Sequence, residues 1–123
     1  ALFEVADRFG CTKVALGHHK DDIIETILMN MFFHGEISGM RPKQELFKGK
    51  IIIIRPLAYV EEDMIVRFAK EAGFPRQKCA CPNSITSNRT KVANIIKDLK
   101  KACPDVRTNI FRSVRRIKED YLL

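Results

Sequence analysis

The sequence predicts an α/β domain, a parallel sheet with flanking helices and a helical C-terminal tail. Three observations carry this. Apolar residues recur at helical spacing over Leu2, Val5, Ala6 and Phe9, and again over Ile23, Ile24, Ile27, Leu28, Met31 and Phe32, with the short run Thr12 to Leu16 between them. Helix, strand, helix in that order is a piece of a layer built on a parallel sheet. Four consecutive isoleucines, Ile51 to Ile54, read as a central strand buried on both faces.

Each element has its own signals. The first helix stops at Gly10, and the strand from Thr12 closes at Gly17. The second helix starts near Asp21 and ends at Gly35. After a loop over residues 36–42, Gln44 to Phe47 and Ile51 to Ile54 form a hairpin across Lys48-Gly49, whose glycine suits a tight turn. Glu61-Glu62-Asp63 places three acids at a helix N-terminus, where the dipole favours them; Met64, Ile65, Phe68, Ala69 and Ala72 should then face inward. Phe74 to Ser84, with two prolines and two cysteines, is a loop. Two basic helices finish the chain, one lined by Val92, Ile95, Ile96 and Leu99, the other by Val106, Ile110, Val114, Ile117 and Tyr121. We expect residues 1–83 to form the α/β part and residues 84–123 a basic helical tail.

At 123 residues the chain has the size of one domain, with 46% apolar and 30% charged residues, the balance of a soluble globule. No apolar run approaches the ~18 residues of a membrane span, and no charged-then-apolar leader opens the chain. The charge is uneven: residues 1–83 carry 12 Lys/Arg against 11 Asp/Glu, residues 84–123 carry 10 against 4. Nearly all of the net +7 therefore sits in the last third. That asymmetry points to a polyanion, nucleic acid first, with Arg107, Arg112, Arg115 and Arg116 as phosphate-tracking candidates; a solvated helical face is the plain alternative. Cys11, Cys79, Cys81 and Cys103 read as reduced thiols or metal ligands, which makes the cytoplasm the default location.

The densest polar cluster is Leu16-Gly17-His18-His19-Lys20-Asp21-Asp22-Ile23-Ile24-Glu25-Thr26, between the carboxyl end of a strand and the first turn of a helix. Open α/β sheets bind ligands at that edge. First-turn N–H groups can meet phosphate, and nearby carboxylates can hold Mg²⁺ bridged to phosphates. The alternative is structural, since acids in a first turn complement the helix dipole. The two histidines have no His-x-x-x-His spacing and are not a zinc signature.

Gly17-His18-His19-Lys20-Asp21-Asp22-Ile23-Ile24-Glu25-Thr26 resembles the second motif of the PP-loop ATPases that modify tRNA, and Ile54-Arg55-Pro56-Leu57 resembles their Arg-Pro-Leu segment. Asn30-Met31-Phe32-Phe33 followed by Gly35 is similar to the tRNA 2-thiocytidine synthetase branch, as are Asn88-Arg89, Asn109-Ile110-Phe111 and Tyr121-Leu122-Leu123. The resemblance runs across essentially the whole chain and implies a Rossmann-like fold of the adenine nucleotide alpha hydrolase type. It also implies an activity: a tRNA cytidine carbonyl is adenylated with ATP and Mg²⁺, and its oxygen is replaced by sulfur with the help of an iron–sulfur cluster. The sulfur would come from a donor protein or sulfide. Carried over by position, Gly17, His18 and Arg55 bind the nucleotide, Asp21 and Asp22 are catalytic, and Cys81 is a cluster ligand. Cys79 departs from the family's spacing, which has a ligand where this sequence has Lys78.

Two parts of the family pattern are missing from the 123 residues: the phosphate-cradling Ser-Gly-Gly-x-Asp-Ser and the upstream Cys-x-x-Cys. Ser38-Gly39-Met40 does not continue the first. The expectation is a later part of a longer enzyme, inactive without the N-terminal half and with a sheet edge open to a second copy. The other readings are a non-catalytic nucleic-acid-binding module on the basic helices and a metal or redox sensor on Cys79 and Cys81.

Overall fold

The computed structural model of the chain describes residues 2–75 and 88–122. In chain order it contains α1 (Leu2–Arg8), β1 (Lys13–Ala15), α2 (Lys20–His34), β2 (Lys43–Leu46), β3 (Ile51–Ile54), α3 (Glu62–Glu71), α4 (Asn88–Ala102) and α5 (Val106–Ser113), with a 3-10 turn at Glu119–Tyr121. No helix among the described residues is long and apolar enough to cross a membrane.

The sheet is small and mixed, in the order β1-β3-β2. β1 runs parallel to β3, with Val14 opposite Ile53, and β2 runs antiparallel to β3, with Gln44 opposite Ile53. The hairpin is present, but its turn is longer than Lys48-Gly49. Phe47 and Lys48 take left-handed backbone angles with φ of 51° and 57°, and Gly49 N–H closes on Leu46 O at 3.1 Å. Among the described residues, no strand pairs the outer edge of β1.

The isoleucine run is central, as expected, but not buried on both faces. Ile51 and Ile53 are buried, and Ile51 packs with Val14 and with Ala6 and Phe3 of α1. Ile52 and Ile54, on the opposite face by strand alternation, are only half-buried beside exposed Lys13 and Ala15. An all-apolar run fits a covered face, but the cover has to be supplied by another element, and α1 lies on one side only.

The main core is helical. Ile24 and Leu28 of α2 pack with Val92 and Ile96 of α4 and Val106 of α5, with Ile110 and Phe111 against them. A second cluster joins Ile23 and Ile27 to Ala58 and reaches Met40 and Val114. The core thus runs across position 83 and ties the basic helices to α2.

Two further sequence expectations need correction. None of α3 is buried; Met64 and Phe68 are exposed, and only Ile65 and Ala69 are half-covered. The second basic helix ends at Ser113 rather than continuing to Tyr121. Arg115 and Arg116 N–H groups then turn back on Arg112 O and Ser113 O. Arg112, Arg115 and Arg116 would be like-charged neighbours one turn apart on a longer helix, which disfavours it.

Candidate functional site

Two chain segments leave the sheet at the same edge. Leu16 N–H donates to Ile54 O at 2.9 Å and extends the parallel pairing one residue past β1, so Gly17-His18 and Arg55 emerge side by side at the strands' carboxyl ends. His19 caps α2 in an extended conformation, and its N–H donates to Asp22 Oδ2 at 2.9 Å. Lys20 N–H donates to Val60 O at 2.9 Å, tying this turn to the segment after β3.

Asp21 and Asp22, adjacent in sequence, point in different directions. Asp21 is 6% exposed. Its Oδ2 accepts the Glu62 N–H that opens α3 at 2.8 Å, and its Oδ1 pairs with Arg107 Nε of α5 at 3.0 Å. One carboxylate thereby joins three helices at their first turns. Asp22 is less buried; it meets His19 Nε2 at 3.3 Å and Arg89 Nη1 of α4 at 3.3 Å. Arg89 also reaches Glu25 Oε2 from its Nε at 3.4 Å.

The charge logic is simple. Asp21 and Asp22 sit where the positive end of α2 favours anions, whereas Arg89 and Arg107 sit in first turns of α4 and α5, where the dipole opposes a cation. Neither of those two turns contains an acid. Pairing across helices relieves both arginines. Burial pushes the Glu25 carboxyl above its usual range against the pull of Arg89, and nearby Asp22, Glu62 and Asp21 add to the rise. Glu61 is held below its usual range by the hydrogen bond from Lys20 Nζ at 2.8 Å, against a smaller effect of burial. Lys20 Nζ also reaches Thr108 Oγ1 of α5 at 3.1 Å.

Arg55 is 8% exposed. Its N–H donates to Pro42 O at 2.8 Å and its Nη1 donates to Arg41 O. Its Nε is buried with no partner, and so is His18 Nδ1. Among the described residues no carboxylate pairs with Arg55. A buried guanidinium without an acid and a buried ring nitrogen without a partner are costly unless something anionic or polar completes them. Both lie where the parallel strands end.

Below this edge the loop over residues 36–42 lies close on α2. Asn30 Nδ2 donates to Ser38 O at 3.1 Å and to Ser38 Oγ at 2.8 Å. A Cβ on Gly39 would stand 2.9 Å from Ile27 Cγ1, so glycine is required by close approach. This accounts for Ser38-Gly39 as packing.

The structure therefore brings Gly17, His18, Asp21, Asp22 and Arg55 to one edge and adds Arg107 to them through Asp21. Arg112, Arg115 and Arg116 stand exposed at and beyond the end of α5. Cys81 and Cys79 lie outside the described residues. Among those described, Cys11 and Cys103 are free thiols, and no three His, Cys, Asp or Glu side chains gather as a metal site. The described residues thus do not by themselves fit an iron–sulfur cluster. Toward Mg²⁺ they offer Asp22 beside an Asp21 already committed to Arg107 and Glu62. Sequence reasoning missed the roles of Arg89, Lys20 and Glu61. For Arg89 a signal existed, since a cation in a first turn lacking acids calls for a carboxylate from elsewhere.

A family model described as a PP-loop domain matches residues 1–99. The chain belongs to the PP-loop domain family. Among curated relatives it is 42% identical to the tRNA-cytidine(32) 2-sulfurtransferase of Polynucleobacter asymbioticus, over 99% of this chain and 41% of that protein. It is 40% identical to the enzyme of the same name from Geobacter sulfurreducens, over 99% of this chain and 48% of that protein. Among solved structures, the U34-tRNA thiolase NcsA from Methanococcus maripaludis with its [4Fe-4S] cluster superposes with a TM-score of 0.71 at 25% identity, covering 98% of this chain and 40% of that one. This PP-loop chain spans less than half the length of each of these relatives.

Proposed function

We propose that this PP-loop chain is part of an ATP-dependent tRNA sulfurtransferase of the cytoplasm, acting on a cytidine of tRNA. The observation that carries it is the cluster of buried nitrogens without a hydrogen-bond partner, Arg55 Nε, His18 Nδ1 and the adjoining His19 Nδ1, at the carboxyl ends of adjacent parallel strands. That is where an α/β sheet takes a nucleotide, and the similarity to tRNA-cytidine sulfurtransferases over 99% of the chain supports a tRNA cytidine as substrate. In the proposed reaction the cytidine O2 attacks the α-phosphate of ATP and pyrophosphate leaves. A sulfur nucleophile from a donor protein or sulfide then adds at C2, and AMP departs with the former carbonyl oxygen.

In this reading Gly17 gives the phosphates room to approach, and His18 and Arg55 meet their oxygens, the buried guanidinium offsetting charge that grows in the transition state. Asp22, held by His19 and by half-exposed Arg89, would exchange the Arg89 contact for the reacting centre or Mg²⁺, while Asp21 holds α3 and α5 in place. An iron–sulfur cluster with Cys81 among its ligands would supply the sulfur-handling chemistry. The phosphate-cradling Ser-Gly-Gly-x-Asp-Ser, absent from these 123 residues, would come from the rest of the polypeptide, without which the chain would be inactive.

The test is thiolation by the full-length protein with tRNA, ATP and sulfide, read as 2-thiocytidine by mass spectrometry of digested nucleosides. His18→Ala and Arg55→Ala should each lower product at least about 100-fold, the size expected when a transition-state charge contact is lost. Wild-type protein that binds tRNA but forms no thiolated nucleoside would favour the non-catalytic RNA-binding reading instead.

A further inference from the structure

Two clefts flank α5 outside the edge described above. One, of about 380 Å³, is lined by Lys20, Tyr59, Thr108, Phe111, Arg112 and Arg115. The other, of about 330 Å³, lies between α2, the loop over residues 36–42 and Val114, with Arg41 in its wall. They adjoin along Phe111 and Arg115, which line both, and the surface they make together is here called the groove. No aspartate or glutamate lines either one.

The chemistry of the first cleft is specific. Tyr59 is 59% exposed and stands edge-on to Phe111, with ring centroids 5.7 Å apart at 76°. Arg115 Nη2 donates to the Tyr59 hydroxyl at 3.4 Å. Lys20 is neutralised by Glu61, but among the described residues no carboxylate pairs with Arg112, Arg115 or Arg41. An exposed aromatic ring with unpaired guanidiniums along one groove suits a ligand that is flat, aromatic and anionic at regular intervals. Lys20, which lines the first cleft, also opens α2, the helix whose first turn carries Asp21 and Asp22.

We propose that the groove binds single-stranded RNA, with one nucleobase stacked on Tyr59 and the flanking phosphates held by Arg112, Arg115 and Arg41. Stacking on an aromatic ring tolerates any base, and a positive groove tracks the backbone. A paired A-form stretch keeps its bases stacked inside, so only an unpaired nucleotide fills the cleft. The proposal rests on the tRNA reading above and gives it a substrate feature: the nucleotide beside the reacting one is gripped while unpaired.

The test uses the full-length protein and fluorescence anisotropy with a labelled, unstructured pyrimidine RNA of about eight nucleotides, a length matched to such grooves. A duplex of the same length is the control. Tyr59→Ala should weaken single-strand binding about tenfold without changing its salt dependence, and Tyr59→Phe should stay within about twofold of wild type. Arg112→Ala and Arg115→Ala should each lower the slope of log affinity against log salt by roughly 0.7. Single-strand binding unchanged by Tyr59→Ala, with an unchanged circular dichroism spectrum, overturns the proposal; so does equal loss for strand and duplex. If Tyr59→Ala is silent while thiolation persists, only the groove falls. If single-strand binding depends on Tyr59 and no thiolated nucleoside forms, the groove stands and the enzymatic reading falls.

Discussion

Helices α2 and α3 make an instructive pair. α3 has the cleaner amphipathic pattern, with Met64, Ile65, Phe68 and Ala69 on one side and charges on the other, yet no residue of it is buried. α2 is apolar around much of its circumference and supplies Ile23, Ile24, Ile27 and Leu28 to two clusters at once. What separates them is the presence of partners. α4 and α5 close over α2, whereas α3 is held at its first turn, where Glu62 N–H meets Asp21 and Arg107 reaches Asp63 at 3.3 Å. A periodic stripe states that a face can be buried, and only a neighbouring element buries it.

The largest expected effect breaks the α2 side. Ile24 is 0% exposed, so Ile24→Ala should cost about 3 kcal/mol, against under about 0.5 kcal/mol for Phe68→Ala on exposed α3. Denaturant melts of both variants of the full-length protein measure this directly. Equal losses would mean that the α3 face has a partner of its own.

A smaller effect separates the two aspartates. Asp21→Asn weakens a buried ion pair whose arginine keeps some solvent contact, and about 2 kcal/mol of stability should go with it. Asp22→Asn should cost less than about 1 kcal/mol, because its partner Arg89 is about half exposed and retains Glu25. If the proposed roles hold, both variants lose thiolation but only the first loses melting temperature. A reversed order of stabilities would refute the division of labour.

The smallest effect is in pH dependence. Glu25 binds its proton more tightly in the folded than in the unfolded state, so its share of stability is greatest below the ordinary value of 4.5 and falls as pH rises through the raised folded value. Glu25→Gln should flatten that fall. Stability profiles of the wild type and Glu25→Gln that stay parallel across this range would show that Arg89 compensates the burial in full.

The sequence made much of the site legible, and for local reasons. Gly17, His18, Asp21 and Asp22 fall in one strand-to-helix turn, so the spacing that makes the turn also gathers the residues. In the sequence, Arg55 is placed with them only through the resemblance of Ile54-Arg55-Pro56-Leu57 to the family's Arg-Pro-Leu segment; the parallel pairing of β3 with β1 that brings it there is a tertiary outcome. Arg89 and Glu25 are a different case. Their pairing spans more than 60 residues, and nothing near Arg89 in the chain announces Asp22 or Glu25.

By itself, then, the sequence determined most of the helices and strands, though not where α5 stops, and which turn carries the polar cluster, because helix periodicity, glycine stops and strand runs act within a few residues. Tertiary structure alone decided that Asp21 faces inward to Arg107 while Asp22 faces Arg89, that α3 keeps its apolar side open, and that Tyr59 and Phe111 share a groove. Those outcomes depend on which helix surfaces meet. That choice is made by burial and charge compensation summed over the whole chain, and no short window of sequence contains the sum.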